Sequence, residues 1–140
     1  MASDGSVLRA LSPEGLADWR RLAATSFFPR LVAEGKIVAT EEDAAPGLAD
    51  AAAGVLRHEA VSFVSYPYEW CFGMLKDAGL LQLDLLLAAL GEEMTVKDAS
   101  PYNVQWRGAQ PVFVDVGSFE PLAAGEPWAG YRQFLSLIHI

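Results

Sequence analysis

Cysteine is nearly missing from this chain. One thiol in 140 residues, Cys71, excludes an internal disulfide and a cysteine-rich zinc site. Histidine is almost as scarce. His58 and His139 lie far apart in sequence, so a mixed Cys/His metal site is not expected. Basic residues are in deficit as well: 10 Lys and Arg stand against 18 Asp and Glu, for a formal net charge of -8 and a pI near 4.6. That balance argues against nucleic acid as a partner, because a grip on its phosphates needs clustered Lys and Arg. The acidic excess is spread out, and its longest run is "EED" at 41–43, so no acidic tail is implied. A long hydrophobic run is also lacking. The opening "MASDGSVLRA" has no apolar core of signal-peptide length. The stretch 78–90 is interrupted by Gln82 and Asp84 and is too short to span a bilayer. A cytoplasmic protein without a membrane partner is expected. There is no internal repeat.

What the chain does have is apolar content, 52% of its residues, enough for one domain with a real core. "GSVLRAL" (5–11) reads as a short strand. Ser12 then suits a helix N-cap, with Pro13 at the first helical position and Glu14 in the first turn. Leu16, Trp19, Leu22 and Ala23 recur at helical spacing. Pro29 breaks or restarts this helix and Gly35 ends it. Residues 40–54, acidic and Ala-rich with Pro and Gly, read as a surface loop. A strand is expected at 60–65, ended by Pro67. The segment 71–90 is a helix apolar around most of its circumference, hence buried on most sides, with Gly91 as its cap. Lys76, Asp77 and Asp84 share its one polar stripe. A loop at 95–103, a strand at 103–106, a turn at Arg107-Gly108 and a strand at 111–115 follow. "YRQFL" starts another helix.

The chemistry concentrates in "KDASPYNVQWRGAQPVFVDVGSFEP", residues 97–121. It holds Asp98, then Asn103, then a hairpin, then Asp115 at the end of an apolar run. Turn formation alone would favour Asp and Asn at the first two places. Asp115 is different: a carboxylate at the end of "PVFVD" carries a desolvation cost unless it is paired, and Lys97 or a metal would serve. Tyr66, Tyr68, Trp70 and Phe72 could line a cleft, but are expected as core and rim, with Glu69 or backbone meeting their polar atoms. Cys71 is read as an inert buried thiol and His58 as a surface or strand-edge residue.

A long helix, a D-x-x-x-x-N loop, a hairpin and a terminal Asp form a series that resembles kinase-like folds, including the aminoglycoside-phosphotransferase type. The resemblance implies an α+β fold: a partial protein-kinase-like domain with a small antiparallel sheet, a long central helix and a catalytic-loop hairpin. It also implies Asp98 as the base toward an attacking hydroxyl, and Asn103 and Asp115 as magnesium ligands for Mg-ATP. "VDVG" matches the family's D-x-G with Val116 in place of an aromatic. A glycine-rich phosphate loop is not found. The nearest substitute for the strand Lys paired with a helix Glu is Arg9, with Glu14 or Glu34.

A second resemblance covers more of the chain. "FVSYPYEWCFGMLKDAGLLQLDLLLAAL", "MTVKDASPYNVQWRGAQPVFVDVGSFEP" and "GEPWAGYRQF" look like the N-terminal region of bacterial class I SAM-dependent methyltransferase proteins, where a kinase-like segment precedes the methyltransferase domain. It implies a parent that transfers a methyl group from SAM to an acceptor of unknown identity, by a downstream domain. No E-x-G-x-G-x-G is found here, so no SAM site is expected in these residues. The closing "LSLIHI" departs from that pattern and resembles translated sequencing-adapter sequence. The expectation is therefore a truncated kinase-like domain at 1–134 and a non-native tail at 135–140. An Mg-ATP phosphotransferase and a non-catalytic interaction domain are the alternatives.

Overall fold

Ser12 begins the first helix as its chemistry dictates. Its Oγ accepts a hydrogen bond from Gly15 N at 3.1 Å, and Pro13, which has no N–H to lose, takes the first helical position. In the computed structural model, which describes residues 5–44 and 52–136, this helix is α1, Pro13–Ala23, and it follows β1, Val7–Leu11. The chain restarts as α2, Phe27–Ala33, with Pro29 inside its first turn. The N-terminus of α2 is capped from far away. Glu92 accepts from Ser26 N at 2.9 Å, Ser26 Oγ at 2.7 Å and Phe27 N at 3.0 Å.

Next come β2, Thr40–Asp43, and β3, Gly54–His58. They correct two expectations. "TEED" is a strand, not loop, because it pairs along β3 from Thr40↔His58 to Asp43↔Val55. The strand placed at 60–65 lies earlier, at 54–58, where Val55 and Leu56 enter the core. Residues 45–51, within the expected loop, lie outside the described residues. The resulting sheet is antiparallel with order β1-β3-β2, so β3 is its central strand.

An irregular segment, 59–71, leads to α3, Phe72–Leu90. Ala78, Leu81, Leu85 and Ala89 are buried, whereas Leu80, Leu83, Leu87 and Leu90 are exposed. The helix is thus buried on one side and apolar but open on the other. Asp77 and Asp84 of the expected polar stripe line one hollow with Lys36, which pairs with Asp84 at 3.0 Å, and Asp77 lies 3.9 Å from Lys76. Two short ladders follow. β4, Met94–Val96, runs into the stretch read as loop at 95–103 and pairs with β7, Phe119–Pro121. β5, Val104–Arg107, pairs with β6, Gln110–Phe113. Asp115 therefore lies two residues beyond its strand. α4, Gly130–Ser136, closes the described chain, and the expected tail beyond Ser136 lies outside it.

The two halves share one seam. Residues 36–38 run along β6: Phe113 N donates to Lys36 O at 2.9 Å and Val38 N donates to Phe113 O at 3.1 Å. Ile37, Val38 and Phe113 are buried there, alongside Met94, Val104, Val112 and Phe119. The fold is mixed α and β with small antiparallel sheets. Among the described residues no helix is long and apolar enough to cross a membrane.

Candidate functional site

The loop after β4 is held by its own side chains. Asp98 Oδ1 accepts from Ser100 N at 2.9 Å, and Asn103 Nδ2 donates to the Asp98 carbonyl at 3.2 Å. The same loop is tied from outside, where Ala99 N donates to Gln133 Oε1 at 3.0 Å and Trp128 Nε1 to Val96 O at 2.8 Å. Val114 N donates to Asn103 O at 2.9 Å, which sets the residue before Asp115 against Asn103. The structure thus brings Asp98, Asn103 and Asp115 to one end of the β5–β6 hairpin.

Asp115 has a partner, but not an expected one. Arg9 Nη1, from β1 in the other half, donates to Asp115 Oδ1, and Ser118 Oγ donates to Oδ2 at 2.5 Å. Lys97 turns instead to Glu120, at 3.6 Å. Nor does Arg9 meet a helix glutamate: Glu34 pairs with Arg30 and Lys36, which hold its carboxyl below the usual range. The Arg9–Asp115 contact is built into the backbone beneath it. A Cβ on Gly117 would sit 2.5 Å from Arg9 Nη1, so a glycine is what lets the guanidinium reach the carboxylate.

This arrangement decides how well magnesium fits. The ion takes hard oxygen ligands. Both Asp115 oxygens already accept from protein donors, one of them a cation. Asn103 Oδ1 and Asp98 Oδ2 accept no hydrogen bond among the described residues. Among those residues there is also no group of three His, Cys, Asp or Glu side chains placed to hold a metal ion. A magnesium at Asp115 would have to displace Arg9 or sit against its charge, so this set does not fit the ion as it stands.

Between the halves lies a cleft of about 530 Å³, in the range of small-molecule sites. Val7 and Arg9 of β1 and Val38 line one side, Gln105 and Val114 the other. The irregular segment 59–64 closes its back. His58 is part of this wall, and the structure corrects its expected surface position. It sits on the central strand at 6% exposure. Thr40 Oγ1 directs its hydrogen at Val38 O, 3.2 Å away, so the network assigns the His58 proton to Nδ1, which donates to Thr40 Oγ1 at 2.9 Å. Among the described residues, Nε2 is a buried acceptor without a partner. Burial, then the charge of Arg9, push the His58 pKa down, with Asp115 opposing.

The aromatic group divides as core and rim. Trp70 is buried edge-on against Trp106 and donates to Ser65 Oγ at 2.9 Å, while Tyr66, Tyr68 and Phe72 are exposed. Glu69 accepts from Tyr66 N at 2.8 Å. Cys71 is exposed at the start of α3, not buried. Sequence reasoning missed Arg9 as the partner of Asp115, Ser118 as its second donor, and the burial of His58. The glycine of "VDVG" was the one signal for the first.

These features define an α+β domain with a cleft between a three-stranded sheet and a helix-and-hairpin half. No protein-family model matches the sequence. The chain is similar to the nodulation protein NoeA of Rhizobium meliloti (strain 1021), at 40% identity over 109 residues, which cover 75% of this chain and 23% of NoeA. The chain thus spans less than a quarter of that relative's length.

Proposed function

We propose that residues 5–136 form a kinase-like accessory module of a larger SAM-dependent methyltransferase, in which an internal ion pair has closed the phosphotransfer site. The observation that carries the kinase-like part is Arg9 meeting Asp115 across the cleft, over Gly117. In protein kinases a strand lysine and a metal-binding aspartate after the catalytic-loop hairpin converge on the nucleotide phosphates. Here a strand arginine and an aspartate hold the corresponding places in chain order, and Asn103 follows Asp98 in the D-x-x-x-x-N spacing. The order β1-β3-β2, the crossover to α3 and the cleft between the halves support the same reading. The closed carboxylate supports loss of transfer chemistry. The methyltransferase parent rests on the sequence resemblance, and a relative more than four times the matched length leaves room for a further domain. SAM would supply the methyl group there.

Two assays test this. The gene product extended beyond residue 140 should transfer labelled methyl from SAM, and the 140-residue chain should not be stabilised by SAM. An extended protein with no methyl transfer would remove the parent. A second reading is a Mg-ATP phosphotransferase, favoured by the Asp98 oxygen that no protein donor occupies and by the Asn103 tie. Labelled phosphate transfer from ATP by this chain, abolished by Asp98→Asn, would establish it and end the accessory reading.

A further inference from the structure

We propose that the outer face of α3 binds a second copy of this chain, the two helices packing antiparallel about a twofold axis. Leu80, Leu83, Leu87 and Leu90 recur at alternating intervals of three and four residues, and all four are exposed. Those are the intervals of a coiled-coil seam. The fold does not use these leucines, because Ala78, Leu81, Leu85 and Ala89 on the other side of the helix already fill the core. From Lys76 to Leu90 the seam runs about 21 Å, at about 1.5 Å of rise per residue.

The order of the side chains selects the occupant. A twofold interface must be complementary to itself. When the helix is turned end for end about the middle of the seam, Leu83 meets Leu87 and Leu80 meets Leu90. The same operation brings Lys76, one turn before the first leucine, to Glu93, three residues past the last. Both are exposed and available. Lys76 has a loose contact with Asp77, at 3.9 Å, and Glu93 makes no ion pair among the described residues. A parallel pair would instead set Lys76 against Lys76, which opposes that arrangement. Asp84 does come toward its own copy, where Lys36, 3.0 Å away, offsets its charge. The flanks follow the same symmetry. Tyr131 lines the hollow beside Leu80 and Leu83, and Leu122 the hollow beside Leu90, so exposed apolar surface borders both ends of the seam.

The test is sedimentation velocity of the 140-residue chain up to about 1 mM, where a monomer–dimer equilibrium is expected. At low salt, Lys76→Glu or Glu93→Lys alone should weaken the dimer at least about fivefold, because each sets like charges together at both ends. The two substitutions together should restore it to within about twofold. Charges that only keep the surface wetted would give no such rescue. Disulfide trapping reads the direction of the helices. In a Cys71→Ser background, a mixture of Leu83→Cys and Leu87→Cys should cross-link as the mixed pair in preference to either self pair. Preferred linkage of Leu83→Cys to itself would overturn the antiparallel arrangement. Single charge variants that dimerise as the parent does, or a double variant that stays weak, would overturn the pairing of Lys76 with Glu93. A chain that remains monomeric at about 1 mM would overturn the proposal and leave the face to another partner.

Discussion

The three-stranded sheet and the helix-and-hairpin half border the same cleft but are held together differently. The helix-and-hairpin half is built on apolar burial: Met94, Val96, Val104, Val112, Phe113 and Phe119 are all at or below 1% exposure. The sheet has a thinner core. Its outer strand β2 carries charge: Asp43 pairs with Arg57 of the central strand, and Glu42 with Arg20 of α1. The exposed pair of Arg20 with Glu42 contributes about 1 kcal/mol or less. The difference teaches where rigidity resides. Asp98, Asn103 and Asp115 stand on the packed half, whereas Arg9 and His58 reach down from the half held mainly by strand pairing. The side supplying the ion-pair partner is the one better able to yield.

The contrast is broken most directly from the packed side. Phe119 lies between Phe27 and Phe113, with ring centroids 5.8 Å from each. Phe119→Ala should cost about 3–5 kcal/mol, the usual price of deleting a buried aromatic ring. Val7→Ala, on β1 and exposed, should change stability by less than about 0.5 kcal/mol. Urea unfolding of the two variants measures the gap. Similar losses would mean the sheet is as firmly packed as the hairpin.

The sheet should show itself next through pH. His58 has its folded pKa lowered beneath the ordinary 6.5, chiefly by burial. The unfolded chain therefore binds the proton more readily, so this contribution is complete above pH 6.5 and is lost as pH falls below it toward the folded value. Glu92 acts lower. Its pKa is depressed below 4.5 by the Ser26 hydroxyl and backbone, so its stabilisation is lost as pH drops through 4.5. Thermal melts from pH 8 to 4 should fall in two steps, and His58→Gln should remove the first. A flat profile between pH 7 and 5.5 would contradict the buried neutral imidazole.

A smaller effect tests local capping. Ser12→Ala removes the acceptor for Gly15 N and should cost about 1 kcal/mol, as N-caps usually do. A change below the error of the melt would mean that α1 is held by packing of Trp19 and Leu22 alone.

How much of this was legible depends on the range of the interaction. Ser12-Pro13, the long apolar stretch of α3 and the hairpin around Gly108 are local signals, and each produced its element nearly in place. β2 was not legible, because "TEED" has no strand propensity of its own and is extended only by pairing with β3. β4 and β7, three residues each, owe their strand form to each other. At the site, Asp98 and Asn103 were brought together as their spacing implied. The partner of Asp115 was not legible, since Arg9 lies 106 residues away. His58 misled because its flanks, "LRHEA", look like a strand edge, whereas two neighbouring strands cover it.

The last contrast lies within α3. Its inner face is core, but Leu80, Leu83, Leu87 and Leu90 recur at helical spacing on the outer face, with Leu87 at 70% exposure. Contiguous apolar surface of this sort promotes association. Leu87 is exposed and lies outside the core cluster, so Leu87→Lys should alter unfolding free energy by less than about 0.5 kcal/mol. It should nonetheless shift the chain toward monomer in sedimentation velocity as concentration rises. That separation of effects is informative because a buried leucine cannot show it: there, loss of association would come with loss of fold. A large destabilisation by Leu87→Lys would mean that the outer face is packed in solution and that α3 is the central helix its apolar circumference suggests. Unchanged stability with unchanged association would remove the outer face as an interaction surface.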